Sequence, residues 1–307
     1  MAIETENPRR FLDTKTIAKI AHLDLRAATI VEGFITGLHR SKFFGHSVEF
    51  VQHRDYVRGD DIRHLDWKVW SKTDKFYVKQ FEAETNLRCQ IVLDVSESMH
   101  YGNGPLNKSE YAATAAACIA YLLTRQQDSV GITTFDSDIR MSIPPRSSQK
   151  HLEAICKTMH VSRPREKTDV MKIMKRVAES IHQRGIVAVI TDGLTDREPL
   201  LKGLDMLRIQ KQDVMLFHVL DDDELDFPFS GMTRFEGMEE LPDLFCDPKA
   251  LRDGYIEELT VYLTEMRQGC AKRGIDYNLV RTSDPLDAIL AKFLHSRIDP
   301  RAKGRSG

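Results

Sequence analysis

A short apolar strand that runs directly into three oxygen-bearing side chains decides the fold, in the stretch Gln90-Ile91-Val92-Leu93-Asp94-Val95-Ser96-Glu97-Ser98. The residues before Asp94 predict a buried strand. Asp94, Ser96 and Ser98 then place one carboxylate and two hydroxyls at alternating positions. Hard cations such as Mg²⁺ prefer oxygen ligands of this kind. The stretch therefore predicts a strand that ends in a metal-binding loop.

The composition predicts a globular protein and excludes several classes of function. The chain has 307 residues, 41% of them hydrophobic, which is enough for one large domain with a buried core and a smaller appendage. Its 44 basic and 46 acidic side chains give a net charge of -2, so no overall field favours nucleic acid or an anionic membrane. The five cysteines form no CxxC pair, which argues against a zinc knuckle and a disulfide framework.

No segment of the sequence predicts export or a membrane span. The first ten residues are polar and are not followed by the apolar core of a signal peptide. The longest uncharged run, residues 111–124, is rich in alanine and shorter than the ~20 residues that a spanning helix needs. Together with the scattered cysteines, these features favour a soluble protein of the reducing cytoplasm.

Short apolar runs alternate with longer amphipathic ones from about residue 87, which is typical of strand, crossover helix and strand in an α/β sheet. Asp136-Ser137-Asp138 can turn the chain tightly, so the next segment predicts a short antiparallel edge strand. The predicted strands are residues 87–93, 130–135, 139–143, 186–191, 214–219 and 275–280, and the predicted helices are residues 109–126, 150–159, 169–183, 197–210, 248–272 and 285–296. The pattern predicts a Rossmann-like, doubly wound, mostly parallel sheet of six strands.

One predicted helix carries an apolar stripe. In residues 248–272, apolar and aromatic side chains recur every three or four residues, which predicts a single buried face made of Tyr255, Leu259, Tyr262, Leu263 and Met266.

The first 80 residues break the alternation. Residues 17–38 have a helical pattern, and residues 48–51 and 76–81 predict strands that flank an irregular, charged segment. We therefore expect a helix and a small β-containing appendage in residues 1–80, the α/β domain in residues 81–298 and a disordered tail in residues 299–307.

Two further loops are expected at the edge of the sheet where Asp94 lies. One carries Thr191-Asp192-Gly193 after a predicted strand, and the other carries Lys167-Thr168-Asp169 before a predicted helix. In doubly wound sheets, ligands bind at the carboxyl ends of the strands where the strand order reverses. The predicted metal ligands are therefore Asp94, Ser96, Ser98, Thr168 and Asp192, with Mg²⁺, or Mn²⁺ or Ca²⁺, as the ion. Few direct carboxylates leave such an ion electrophilic, so we expect it to recruit an acidic side chain from a partner protein.

These residues resemble the metal-ion-dependent adhesion site of von Willebrand factor A domains, in which a D-x-S-x-S loop, a threonine loop and an aspartate loop hold the ion. The resemblance assigns Asp94, Ser96 and Ser98 to the first loop, Thr168 to the second and Asp192 to the third. Further segments resemble bacterial proteins of the domain of unknown function 58 family: residues 56–63, Asp66-Trp67-Lys68, residues 78–81, Asp247-Pro248, residues 252–255 and residues 293–297.

The family resemblance implies a function in protein interaction. Such A-domain proteins are often encoded beside a MoxR-type AAA+ ATPase and are taken to work with it in the assembly or maturation of other proteins. Many relatives have an N-terminal membrane anchor, which we do not expect here. The resemblance therefore implies a non-enzymatic, metal-dependent adaptor.

Each predicted ligand outside the first loop has a structural alternative. Thr168 can act as the N-cap of the next helix, a role that is compatible with metal ligation. For Asp192, the alternative is a role as a turn former with Gly193 and not as a ligand. The acidic run Asp221-Asp222-Asp223-Glu224 follows a strand and can lie near the same edge, but such a run is usually a solvated loop.

Two other classes of function are alternatives to the interaction module. Basic and aromatic residues alternate in residues 54–76, which can suggest nucleic acid, but five interleaved aspartates cancel most of the field that phosphate binding needs. A Mg²⁺-dependent phosphoryl-transfer enzyme that uses Asp94 is the enzymatic alternative. Enzymes of the haloacid dehalogenase type place a second aspartate two residues later as general acid, and Ser96 cannot do this near neutral pH. No P-loop motif appears, and the 11 histidines are scattered and interpreted as surface or packing residues.

Overall fold

The structure is a computed structural model that describes residues 22–40, 53–55, 77–79, 87–159, 170–236 and 243–298. Its contacts divide the chain into two compact units. One unit holds the described residues up to Gly37 and those from Leu87 onward, and the other holds those between Leu38 and Asn86. The domain limits expected at residues 80 and 298 stay a prediction.

Strands and helices alternate along most of the described chain. The strands are β1 (His53–Asp55), β2 (Tyr77–Lys79), β3 (Arg88–Asp94), β4 (Ser129–Phe135), β5 (Ile139–Arg146), β6 (Ile186–Thr191), β7 (Asp213–Leu220), β8 (Thr233–Phe235), β9 (Leu244–Cys246) and β10 (Asp276–Arg281). The helices are α1 (Leu23–Arg40), α2 (Lys108–Arg125), α3 (Gln149–Met159), α4 (Val170–Ser180), α5 (Arg197–Ile209), α6 (Asp222–Asp226), α7 (Pro248–Lys272) and α8 (Leu286–Ile298), with a 3₁₀ turn at Glu97–His100.

A six-stranded sheet in the order β10-β7-β6-β3-β4-β5 forms the centre of the larger unit. All neighbouring pairs are parallel except β4 and β5, which are antiparallel. Strand β3 lies between β6 and β4, and all its residues after Arg88 are buried. Helices cover both faces of such a sheet, which explains why β3 and β6 are continuous apolar runs rather than alternating ones.

The core on one face of the sheet joins β3, β6 and β7 to helices α4, α5 and α7. On helix α2, Ala112, Ala115, Ala116 and Ala120 are fully or almost fully buried, as close packing on a sheet requires. Helix α2 begins after Asn107, whose side chain accepts a hydrogen bond from the backbone N–H of Glu110. None of the helices that the structure describes is both long and apolar enough to cross a bilayer.

The six predicted strands of the sheet and its predicted mostly parallel topology are confirmed. The predicted turn at Asp136-Ser137-Asp138 is confirmed too, since the backbone N–H of Asp136 donates to the carbonyl of Asp138 (3.1 Å) and β5 follows. The strand predicted at residues 48–51 lies outside the described residues. In the smaller unit, β1 pairs with β2 in antiparallel fashion, and β2 falls within the strand predicted at residues 76–81.

Two features of the C-terminal half differ from the expectation. The stripe predicted on α7 is only partly buried, because Met266 is inaccessible whereas Tyr255, Leu259, Tyr262 and Leu263 are half-buried. A small antiparallel pair, β8 with β9, was not predicted from the sequence. These strands have three residues each, which is too short for the hydrophobic period to be visible.

Two helical glycines provide a matched test of the packing between α4 and α5. A Cβ atom added at Gly203 of α5 would lie 2.8 Å from the Cβ of the buried Met174 of α4, whereas one added at Gly254 of α7 would meet no atom within 4 Å. We expect Gly203→Ala to destabilise the protein, because overpacking costs ~1–3 kcal/mol and outweighs the ~1 kcal/mol gained by removing a helical glycine. Gly254→Ala, which has only the gain, should stabilise it. Urea unfolding measures both, and a Gly203→Ala protein as stable as the wild type would contradict the packing.

Candidate functional site

The candidate site lies at the carboxyl edge of the sheet, where the strand order reverses. From β3 the chain proceeds to β4 on one side, and β6 later pairs with β3 on the other side. Asp94 is the last residue of β3 and Asp192 directly follows β6, so the topology places both at the crevice between these strands. Only 4% of Asp94 and 2% of Asp192 is exposed.

The loop after β3 brings its carboxylate and its two serines together. Asp94 Oδ1 accepts a hydrogen bond from the backbone N–H of Ser96 (2.9 Å), and the N–H of Val95 donates to the carbonyl of Phe135 on β4 (2.8 Å). The 3₁₀ turn that follows returns the chain, so that Ser98 Oγ lies 3.1 Å from Ser96 Oγ. Both serines are 96% buried, with 4% exposed, so their hydroxyls are held by the fold and not by solvent.

The positions of these oxygens fit the requirements of a small divalent cation. Two neighbouring ligands at ~2.0–2.1 Å from an octahedral Mg²⁺ are separated by about 3 Å, which is close to the separation of the two serine hydroxyls. Each hydroxyl keeps a lone pair beyond the one hydrogen bond that they share. The donor set of Asp94, Ser96 and Ser98 therefore fits a divalent cation such as Mg²⁺, the kind of ion that the sequence predicts.

Thr191 joins the two aspartates and was not among the predicted ligands. Its hydroxyl donates to Asp94 Oδ2 (2.6 Å) and accepts from the N–H of Gly193 (3.1 Å). Gly193 has a φ of +63°, a left-handed conformation that allows the chain to turn directly after Asp192. Asp192 Oδ1 then accepts from the N–H of Leu194 (3.1 Å), so the turn and the carboxylate stabilise each other.

A buried lysine lies next to Asp192, and no pattern in the sequence indicates it. Lys108 is fully buried, and its ammonium donates to Asp192 Oδ2 (2.9 Å) and to Glu224 Oε1 (2.8 Å). Burial by itself lowers the pKa of this ammonium, but the two carboxylates outweigh burial and leave the pKa above its ordinary value. Lys108 is therefore charged and shared between two acidic side chains.

His218 of β7 supports the loop of Asp192 from below. Its Nε2–H donates to the carbonyl of Asp192 (2.7 Å), so Nδ1 accepts from the hydroxyl of Tyr277 (2.8 Å). Burial lowers the pKa of His218 to about 4 and keeps the ring neutral near pH 7. Tyr262 donates to the carbonyl of Gly193 (2.5 Å). His218 therefore agrees with the prediction that the histidines are surface or packing residues. It positions the loop by a hydrogen bond to the backbone of Asp192.

The expectation that the acidic run is a solvated loop is wrong for two of its four residues. Asp221 is 3% exposed and its side chain accepts from the N–H of Asp223 (3.1 Å), while Glu224 accepts from the N–H of Asp221 (2.7 Å). These two bonds form a capping box at the start of α6. Thr282 donates to Asp221 Oδ2 (2.7 Å), and Glu224 also contacts Lys108. The run therefore lies beside the candidate site, and its contacts with Thr282 and Lys108 hold it in place.

One predicted ligand cannot be placed. Thr168 lies outside the described residues, so the structure brings together Asp94, Ser96, Ser98 and Asp192 of the five predicted ligands. Within the described residues, no group of three or more histidine, cysteine, aspartate or glutamate side chains is placed to hold a metal ion. The candidate site differs from such a cluster because hydroxyls make up part of its donor set.

Asp94 carries a strongly perturbed carboxyl group. Burial, followed by the nearby charge of Asp192, raises the pKa of Asp94 from 3.8 to about 7, although the hydrogen bonds from Thr191 and Ser96 oppose the shift. In the folded, metal-free protein Asp94 therefore binds its proton far more tightly than in the unfolded chain.

This shift predicts a pH dependence of stability in the metal-free protein. The stability that the bound proton contributes is fully present below pH 3.8 and is lost as the pH rises through about 7. Asp94→Asn has no such proton, so in EDTA its free energy of unfolding should rise relative to that of the wild type between pH 4 and pH 8, by on the order of 3–4 kcal/mol. Urea unfolding at each pH measures the difference. Parallel pH profiles for the two proteins would show that Asp94 is not perturbed.

Comparisons with known proteins identify the family of this chain. The family model described as protein of unknown function DUF58 matches residues 52–261. The chain is 24% identical to the uncharacterized protein Rv1480 of Mycobacterium tuberculosis over 293 residues, which cover 93% of this chain and 90% of that protein. Two solved structures also match parts of the chain. The conserved hypothetical protein BatB from Bacteroides thetaiotaomicron has 17% identity and a TM-score of 0.45, covering 68% of this chain and 100% of that one.

The second structure is the VWA domain of SpRpn10, with 11% identity and a TM-score of 0.39, covering 66% of this chain and 93% of that one. The family model extends over more than half of the sequence. The chain therefore belongs to the DUF58 family.

Proposed function

We propose that this protein is a non-enzymatic, divalent-metal-dependent protein-interaction module. The observation that carries the proposal is the pair of buried serine hydroxyls, 3.1 Å apart, directly beside the buried carboxylate of Asp94. A fold of von Willebrand factor A type suits an interaction or adhesion role, and the proposed metal dependence goes one step further. The proposed ligand set is Asp94, Ser96, Ser98, Thr168 and Asp192.

Each residue has a separate role in the proposed site. Asp94, Ser96, Ser98 and Thr168 would position the ion through their side-chain oxygens, and Asp192 would hold its waters. The N–H of Ser96 and the hydroxyl of Thr191 orient the two oxygens of Asp94 by hydrogen bonds. When bound, the ion supplies an electrophilic position that an acidic side chain of another protein can occupy. The protein itself needs no reacting group for this role.

The donor chemistry favours Mg²⁺, with Mn²⁺ or Ca²⁺ as the other candidates. The ligands carry only oxygen, and carboxylates, hydroxyls and waters select these ions over zinc and copper. The tight spacing of the two serines favours a small ion with short ligand distances, which is why we place Mg²⁺ first.

The proposed partner is a MoxR-type AAA+ ATPase, with which the protein would act as an adaptor in the assembly or maturation of other proteins. Membership of the DUF58 family supports this partner. We place the protein in the cytoplasm, since its five cysteines are all free thiols, as expected in a reducing compartment. The partner would present the acidic side chain that reaches the ion.

A phosphoryl-transfer enzyme that uses Asp94 is the alternative. In that reaction Asp94 must be an ionised nucleophile and a second acidic group must protonate the leaving oxygen. The position two residues later is Ser96, whose hydroxyl lies against Ser98 and is not acidic near neutral pH. Generic phosphoesters offer a direct comparison, and turnover that disappears in Asp94→Asn would favour the enzyme.

Metal binding provides the first test of the proposal. We expect Mg²⁺ or Mn²⁺ to give saturable heats with the wild type in calorimetry at pH 8 and no measurable heat with Asp94→Asn. Asp136→Asn is the matched control, because Asp136 is also a buried carboxylate that follows a neighbouring strand, it pairs with Arg140 (2.6 Å), and it is not one of the predicted ligands. Equal heats from the wild type and Asp94→Asn would refute the site.

Partner binding provides the second test. We expect a purified MoxR-type ATPase from the same genome to be recovered with the immobilised wild-type protein in Mg²⁺ and to be lost with Asp94→Asn in the same buffer. The variant is needed because the ATPase itself uses Mg²⁺ with its nucleotide, so chelation by EDTA alone would not distinguish the two proteins. Equal recovery with both proteins would exclude a metal-dependent contact.

A further inference from the structure

The buried ammonium of Lys108 connects two loops that follow different strands. Asp192 follows β6, and Glu224 belongs to α6 after β7. Lys108 contacts both carboxylates at 2.9 and 2.8 Å and is fully buried, so no water competes for the ammonium. Its own position is fixed, because the N–H of Lys108 donates to the carbonyl of Tyr101 (3.0 Å) and it begins helix α2.

Helix α6 depends on Glu224 for its order. This five-residue helix contributes no buried residue of its own to the core. Glu224 Oε2 accepts from the N–H of Asp221 in the capping box, while Oε1 accepts from Lys108. The carbonyl of Glu224 accepts from Tyr255 of α7 (2.9 Å). An element held by polar contacts in this way responds readily when one of them changes strength.

We propose that Lys108 is a positioning residue that couples the predicted metal site to helix α6 by sharing its charge between Asp192 and Glu224. The inference rests on the proposed function. A divalent cation held by Asp94, Ser96 and Ser98 would add a second positive charge near Asp192 and would weaken the Lys108–Asp192 pair. Lys108 then binds Glu224 more strongly, and α6 becomes more ordered. Binding of the metal ion thereby changes the order of α6, the helix that follows β7.

The coupling also makes Glu224 a determinant of metal affinity, although it is not a ligand. Glu224 accepts the hydrogen bond of the Lys108 ammonium when Asp192 interacts with the ion and its waters. Without that alternative partner, Lys108 stays on Asp192 with an uncompensated positive charge close to the ion. The affinity for Mg²⁺ should then fall.

The metal-dependent arm of the test compares two charge-neutralising variants. We expect Glu224→Gln to lower the Mg²⁺ affinity about tenfold, the low end of the effect of losing an outer-sphere partner. Glu110→Gln is the matched control, since Glu110 is exposed, lies in the first turn of α2 and changes the net charge equally without contacting Lys108. In a Lys108→Met background Glu224→Gln should have no further effect, and Lys108→Arg should restore the coupling. Equal effects of Glu224→Gln and Glu110→Gln would overturn the proposal.

The metal-free arm uses hydrogen exchange of the α6 amides in EDTA. Asp192→Asn removes the competing charge, so Lys108 binds Glu224 alone, and exchange at Glu224, Leu225 and Phe227 should slow about fivefold, the factor for ~1 kcal/mol of local stability. Asp136→Asn, which removes a buried charge elsewhere on the edge, should leave these amides unchanged. No change with Asp192→Asn, or an equal change in the Lys108→Met background, would overturn the coupling.

The two arms separate the coupling from the proposed function. A wild type that gives no Mg²⁺ heat, while α6 still responds to Asp192→Asn, would refute the metal site and leave the coupling intact. A wild type that binds Mg²⁺ without any response at α6 would refute the coupling alone. If Lys108→Met does not fold, the comparisons of Glu224→Gln with Glu110→Gln and of Asp192→Asn with Asp136→Asn still decide.

Discussion

The carboxyl edge of the sheet depends on one constraint: two aspartates are buried side by side where water cannot stabilise their charges. An isolated carboxylate in such a place is costly, and it persists only if donors surround it or if it takes up a proton. Asp94 accepts hydrogen bonds from the N–H of Ser96 and from the hydroxyl of Thr191, and still has a raised pKa. Asp192 has the N–H of Leu194 and the ammonium of Lys108. The local structure of the loops around both residues follows from these needs.

The sheet explains why these donors are available. Parallel pairing of β3 with β6 aligns the ends of the two strands, and the strand order reverses between them. The left-handed turn at Gly193 and the hydrogen bond from His218 hold the backbone of Asp192, so its carboxylate can face Lys108. Because His218 is neutral, it orders this loop without adding a charge to the site.

The fold could be predicted largely from the sequence because its signals are local. The apolar runs of β3, β6 and β7 are bounded by polar turn residues, and predicted strand ends in the sheet differ from the observed ones by at most three residues. The residues that surround the site could not be predicted in this way. Lys108 lies 84 residues from Asp192 and 116 from Glu224, so their meeting depends on which strands are neighbours and not on any local pattern. The acidic run after β7 has the composition of a solvated loop, and it is the contact with Lys108 that connects Glu224 to the site.

A buried lysine and neutral serine ligands both limit how far the protein neutralises the charge of the proposed ion. Hydroxyls bring no charge, so Asp94 is the one anionic side chain among the described residues proposed to contact the ion directly. Asp192 acts through water, and part of its charge is already balanced by Lys108. Both features reduce the negative charge that the protein offers to a divalent cation. An ion held in this way keeps much of its positive charge, and an acidic side chain from another protein is the ligand that neutralises it best.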